Sequence, residues 1–201
     1  QSIGDEVVSF RLKGADGALR NAAEVARTAT LVRGRGLPVW HVAFPRKPGD
    51  YRIGFSQDGG DHVRQPDWAG RVRKEFDLAA GTLKQAANPV EWRQPVENGD
   101  AWDVKAEGRF VQLFRGRVEV DRLEFPDVVS RFTGLPYTVC LIPDATGKPV
   151  AIAVGTSTVN GIFVYQLPQG QGRRATLVRY FRDHFGKVNS LCASADGKYL
   201  V

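Results

Sequence analysis

Few side chains in this 201-residue chain have the chemistry to activate water, hold a metal or attack a carbonyl. The three histidines are His41, His62 and His184, and none stands near a cysteine or carboxylate at a ligand spacing such as His-x3-5-His. Asp58, Asp61 and His62 could act together as hard-cation ligands or as an acid-base pair. Carboxylates flanking Gly59-Gly60 are, however, what an ordinary solvated turn contains. Cys140 lies inside Tyr137-Thr138-Val139-Cys140-Leu141-Ile142, an apolar setting that hides a thiol and raises its pKa rather than activating it. Cys192 has similar neighbours, and both are expected to be buried free thiols. No Gly-x-Ser-x-Gly occurs, and Gly170-Gln171-Gly172 lacks the third glycine and the following Lys-Ser/Thr of a phosphate loop. The expectation is a segment with no catalytic residue, metal or cofactor of its own, any catalysis being encoded outside it.

The elements that carry these residues are expected to be strands. There are 24 Val and 5 Ile against 14 Leu, with 11 Phe, 5 Tyr and 4 Trp, a balance that suits pleated, half-buried surfaces. With 22 Gly and 11 Pro the strands must be short, as in sandwiches, barrels and propellers. Hydrophobic residues at 42% and charged residues at 25% supply a real core and exclude disorder and collagen. No apolar run reaches the ~18 residues of a membrane helix, and Gln1 to Asp5 lack a signal-peptide layout. Methionine is absent and Tyr199-Leu200-Val201 falls within an expected strand, so the chain is read as a piece of a longer protein.

Residues 1–36 differ from the remainder. Asp5 to Phe10 reads as a strand, Gly14-Ala15-Asp16-Gly17 as a turn, and Leu19 to Val32 as a helix, since Leu19, Ala22, Ala23, Ala26 and Leu31 fall near helical spacing. The order Gly4-Asp5, strand, turn, helix resembles the C-terminal half of a PDZ domain, without its carboxylate-binding loop. The other reading is a small leader packed on the sheet domain. From residue 37 to 201 short strands and turns alternate: Val39 to Phe44, Tyr51 to Phe55, Lys74 to Leu78, Asp103 to Lys105, Phe110 to Phe114 and Val118 to Leu123. They continue with Tyr137 to Ile142, Val150 to Val154, Gly161 to Leu167, Leu177 to Phe181 and Val188 to Ala193. Ser56 to Arg71 and Gln85 to Asp100 are polar and read as connections.

A degenerate repeat runs through this part. Val188-Asn189-Ser190-Leu191-Cys192-Ala193-Ser194-Ala195-Asp196-Gly197-Lys198-Tyr199-Leu200-Val201 resembles the opening of a WD40 repeat: inner strand, Asp-Gly turn, second strand. His184 takes the place of that family's Gly-His histidine, with Asp183 where Gly is usual, and Tyr165-Gln166 falls at the Trp-Asp position. Glu107-Gly108-Arg109-Phe110-Val111 echoes Asp196 to Leu200, and Val139 to Asp144 echoes Leu191 to Asp196 at an offset of 52, beyond the usual ~40–45. The resemblance implies three to four blades of a WD40-type β-propeller, the last incomplete, akin to WD40 regions of large bacterial multidomain proteins. It also implies structural roles for His184, Asp196, Gly197 and Tyr165, with His184 tying an outer loop to the inner strand. Blades bury their faces only against one another, so further blades or a partner chain are expected to complete the ring.

The net charge of +6 is concentrated. Arg173, Arg174, Arg179, Arg182 and Lys187 oppose only Asp183, forming a candidate patch for an acidic protein partner or a plain solvated face; no stacking platform points to nucleic acid. The function expected is a protein-interaction scaffold. The alternatives are a regulatory or recruiting propeller of a protease- or kinase-linked enzyme, and a structural subunit of an assembly. The residues do not indicate a compartment.

Overall fold

The computed structural model describes residues 6–11, 29–33, 39–57, 72–87, 91–92, 102–125, 134–157, 161–170, 172–181 and 187–201. Fourteen strands are formed among the described residues. In chain order they begin with β1 (Glu6–Arg11), β2 (Ala29–Arg33), β3 (His41–Ala43), β4 (Arg52–Ser56), β5 (Lys74–Asp77) and β6 (Thr82–Gln85). Next come β7 (Trp102–Glu107), β8 (Phe110–Arg115), β9 (Val118–Glu124) and β10 (Pro136–Pro143). The last are β11 (Pro149–Thr156), β12 (Ile162–Gln166), β13 (Thr176–Phe181) and β14 (Tyr199–Leu200). No α-helix occurs among the described residues, and so none long and apolar enough to cross a membrane.

The strands form four antiparallel sheets: sheet I is β3-β4-β5-β6, sheet II β7-β8-β9, sheet III β10-β11-β12-β13, and sheet IV β14-β1-β2. Within sheets I to III the strands lie side by side in sequence order, the meander a propeller blade requires. The architecture is all-β and consistent with a partial β-propeller.

Alternation explains how the sheets stack. In sheet III one face, with Cys140, Ile142, Ala151, Ala153, Ile162, Val164 and Phe181, packs on Val188, Leu191, Ala193 and Leu200 of sheet IV and its approach. Its opposite face, with Leu141, Ile152, Val154, Phe163 and Tyr165, packs on Trp102, Val111, Leu113, Leu123 and Phe125 at sheet II. Both faces being covered, all eight residues of β11 are buried, which is why Pro149–Thr156 reads as a continuous apolar run. Val42, Phe44, Ile53 and Phe55 of sheet I then pack on Cys192 and Val201. The packing order is therefore II, III, IV, I.

One expectation needs correcting. Ala29–Arg33 is a strand, not the end of a helix: Thr30 and Val32 are β-branched, and the segment pairs with β1 from Glu6↔Arg33 to Phe10↔Ala29. The rest of the expected helix, and the turn at Gly14 to Gly17, lie outside the described residues. Sheet IV takes two of its strands, β1 and β2, from residues 6–11 and 29–33. β1 pairs with β14 at Phe10↔Leu200 and Arg11↔Tyr199, so sheet IV joins strands far apart in the sequence. On the other side, Cys192 and Val201 exchange backbone hydrogen bonds of 2.8 and 2.9 Å, and Ala193 bridges Leu200.

Candidate interaction site

Each sheet is opened by a hairpin, and in each hairpin one glycine takes a left-handed conformation: Gly49 (φ 82°), Gly108 (φ 58°), Gly147 (φ 87°) and Gly197 (φ 65°). The four hairpins thus share one kind of turn. At Gly49, Gly108 and Gly147 a side chain would meet open space, whereas at Gly197 a Cβ would overlap the carbonyl oxygen of Pro143 in sheet III. The Asp196-Gly197 turn is wedged between sheets.

Asp196 fixes the other side of that wedge. Nearly buried, it accepts hydrogen bonds from the Tyr51 hydroxyl of sheet I at 2.7 Å and from the Ser194 hydroxyl at 2.9 Å, and it pairs with Lys198 Nζ at 3.2 Å. Ser194 Oγ in turn accepts the Tyr199 amide at 3.0 Å, and the Tyr51 and Tyr199 rings lie 4.5 Å apart. Burial alone would raise the Asp196 pKa, but the donors Tyr51, Ser194 and Lys198 outweigh it and hold it below the usual carboxylate value. The same contact, after burial, raises the pKa of Tyr51, and Asp196 raises that of Lys198. Further along, Asn189 Nδ2 donates to Val39 O at 3.0 Å and the Val42 amide to Ser190 Oγ at 3.3 Å, closing the seam between sheets IV and I.

Beside Tyr51 an open cleft of about 450 Å³ is lined by Lys47, Pro48, Gly49, Asp50, Arg52, Asp77 and Ala79. Its charged walls are held in place. Arg52 binds Asp50 at 2.8 Å, Glu75 at 3.3 Å and Glu91 at 3.3 Å, and the Arg52 hydrogen bond is the main influence holding Asp50 below its ordinary pKa. Asp77 accepts the amides of Ala79 and Ala80 at 2.9 and 3.0 Å, bracing the β5–β6 turn. Such a shallow, polar, rigid surface can present charges to a partner; it contains no nucleophile paired with a base.

The remaining sequence candidates are dispersed. Tyr165, on β12, is buried between sheets II and III; its hydroxyl meets no acceptor among the described residues, and burial drives its pKa up. Of the expected basic patch, Arg173 and Arg174 are exposed on the β12–β13 connection, Arg179 lies over the Phe181 ring at 5.5 Å, and Lys187 sits 3.5 Å above the Tyr137 ring at the far end of sheet III. A six-residue strand, ~17 Å, separates the ends of the patch. His184, Arg182, Asp58, Asp61 and His62 lie outside the described residues. His41 is buried on β3, and Cys140 and Cys192 are buried free thiols, burial raising the Cys140 pKa well above normal. Among the described residues no group of three or more His, Cys, Asp or Glu is placed to hold a metal. The cleft itself went unseen in the sequence, because Pro45 to Asp50 read as a plain turn before the strand at Tyr51 to Phe55; the signal was the acid next to the glycine in Gly49-Asp50, as in Asp196-Gly197.

No family model matches the chain, and no curated protein does. Among solved structures it is similar to a chain of the crystal structure of a mitotic checkpoint complex, at 12% identity and a TM-score of 0.39. The match covers 98% of this chain and 59% of that one, so this chain spans well under two thirds of that protein's length. The fold assignment rests on the sheets described above.

Proposed function

We propose that this chain is a non-catalytic protein-binding module, a segment of a WD40-type propeller that docks a partner on its hairpin-turn end. The observation that carries this reading is the convergence of the Tyr51, Pro143 and Asp196-Gly197 turns beside the charged cleft, where three sheets are locked into one polar, open surface. Lys47, Asp77 and Lys198 are the groups that would read a partner's charges there, with Arg52 held as their backing. No cofactor enters the proposal. A photo-crosslinking residue at Pro48 or Ala79, within the full-length parent protein, should give a discrete adduct with one partner. The same residue at Leu177 of β13 should not. Lys47→Glu should remove the adduct without changing the melting temperature; adducts equal at all positions would count against this surface.

A further inference from the structure

Arg173 and Arg174 stand three and two positions before Thr176, the first residue of β13, and Leu177 follows it. All four are exposed, and Leu177 is one of the large apolar side chains left facing solvent. The Arg173, Arg174 and Thr176 side chains make no ion pair or hydrogen bond with another described residue. Left-handed glycines at Gly170 (φ 98°) and Gly172 (φ 73°) turn the chain toward Arg173, and residues 173–175 lie outside regular structure. The Ala175 amide donates to Asp121 Oδ2 of β9 at 2.6 Å, which fixes where β13 starts. From Thr176 onward the chain is extended, paired with β12 at Gln166↔Thr176 and Tyr165↔Leu177. β13 is the last strand of sheet III, so its outer edge has no strand partner among the described residues.

Two unengaged guanidiniums at fixed spacing before an exposed hydroxyl, with an apolar side chain after it, suit the groove of a basophilic serine/threonine kinase. Carboxylates of such a groove take the guanidinium forks, a pocket takes the apolar residue, and the hydroxyl is left facing the phosphoryl donor. We infer that Thr176 is a phosphorylation site for a kinase of this class. Other hydroxyls of the described residues lack the combination: Thr82 is exposed but follows Ala79-Ala80-Gly81, Thr146 donates to Asp144 at 2.6 Å, and Ser190 and Ser194 are buried. The terminal phosphoryl group of a nucleoside triphosphate passes to Thr176 Oγ1. The bond from that phosphorus to the leaving diphosphate breaks as the bond to Oγ1 forms, and the hydroxyl proton goes to a base of the kinase. The product carries about two negative charges at neutral pH, which cancel the exposed positive charge of Arg173 and Arg174 one residue from the amide that Asp121 holds. The site lies on sheet III and the turn-end cleft on sheet I, and the kinase leaves a covalent mark rather than a standing complex, so either reading can fail without the other.

The test incubates the whole folded chain with magnesium ATP and the catalytic subunit of cyclic-AMP-dependent protein kinase. One phosphate should enter, placed at Thr176 by peptide mass mapping, with kcat/KM within about tenfold of that for a free peptide spanning residues 170–179. Arg173→Ala and Arg174→Ala should each lower kcat/KM by about tenfold or more, the size of one lost charge-assisted pair, with the melting temperature unchanged. Thr176→Val should take up no phosphate, and casein kinase II, which reads acidic residues, should leave Thr176 unmodified. Phosphate entering only after urea unfolding, entering at Thr82 or Thr146 instead, or entering the arginine variants as fast as the wild type would each overturn the inference.

Discussion

Sheets II and III are built from the same kind of strand yet live in different surroundings. Sheet III is covered on both faces, and its central strand β11 has no exposed residue. Sheet II is covered on one: Val111, Leu113 and Leu123 point toward sheet III, while the opposite face carries Asp103, Lys105, Phe110, Gln112, Phe114, Glu119 and Arg122. That second face is finished as a surface. Lys105 caps the Phe114 ring at 5.1 Å, Arg109 and Arg122 each cap Phe110 at 5.4 Å, Arg122 pairs with Glu119 at 2.7 Å, and Arg109 pairs with Glu124. The difference teaches that β-propensity alone does not make a blade interior. What separates the two is whether the second set of alternating positions is apolar or charged.

Substitutions should follow this contrast. The largest effect is expected from Gly197→Ala, which combines a left-handed backbone with a collision against the Pro143 carbonyl; it should cost more than about 4 kcal/mol and abolish cooperative melting. Gly108→Ala, the equivalent turn of sheet II in open space, should cost about 1 kcal/mol. Urea unfolding of the pair measures the gap, and equal losses would mean that the turn wedge between sheets does not exist. Ile152→Ala in β11 should cost about 3–4 kcal/mol in the same assay, against about 1 kcal/mol or less for Phe114→Ala.

Asp196 gives an intermediate effect with a pH signature. Its pKa is lowered in the folded state, so its contribution is complete above the unfolded carboxylate value, about 4, and is lost as pH falls through the lower folded value. Asp196→Asn should cost about 2–3 kcal/mol at neutral pH, and the gap to wild type should narrow below pH 4 in melts followed by circular dichroism. A gap independent of pH would show that the charge of Asp196 does not contribute. The smallest effect belongs to sheet II: Gln112→Ala on the charged face should stay within about 0.5 kcal/mol.

The sequence disclosed the strands best where burial is two-sided. Pro149–Thr156 and Ile162–Gln166 stand out as apolar runs between turns, and Asp196-Gly197 marks its hairpin by residue type alone. β6 was missed because all four of its residues, Thr82 to Gln85, are exposed and show no alternation. β2 was missed because its alanine-rich approach imitates a helix until β1 is available to pair with it. The site was legible only at Asp196-Gly197, whose neighbours, Tyr51 on Asp196 and the Pro143 carbonyl against Gly197, are distant in sequence. The basic run, prominent in the sequence, is spread along sheet III because a strand carries consecutive charges apart and to alternate faces.

The pairing of Phe10 with Leu200 also has a kinetic meaning. Sheets I, II and III close through neighbours in sequence, and each can form while later residues are still being synthesised. Sheet IV joins positions almost the whole described length apart, so its closure waits until residue 200 has emerged and carries the largest loop entropy among the described strand pairings. Until then the faces of sheets I and III that meet Cys192, Leu200 and Val201 stay wet. The nascent chain therefore keeps these apolar faces exposed until residue 200 has emerged, and a slow folding step should coincide with protection of the β1 and β14 amides in pulse-labelled hydrogen exchange.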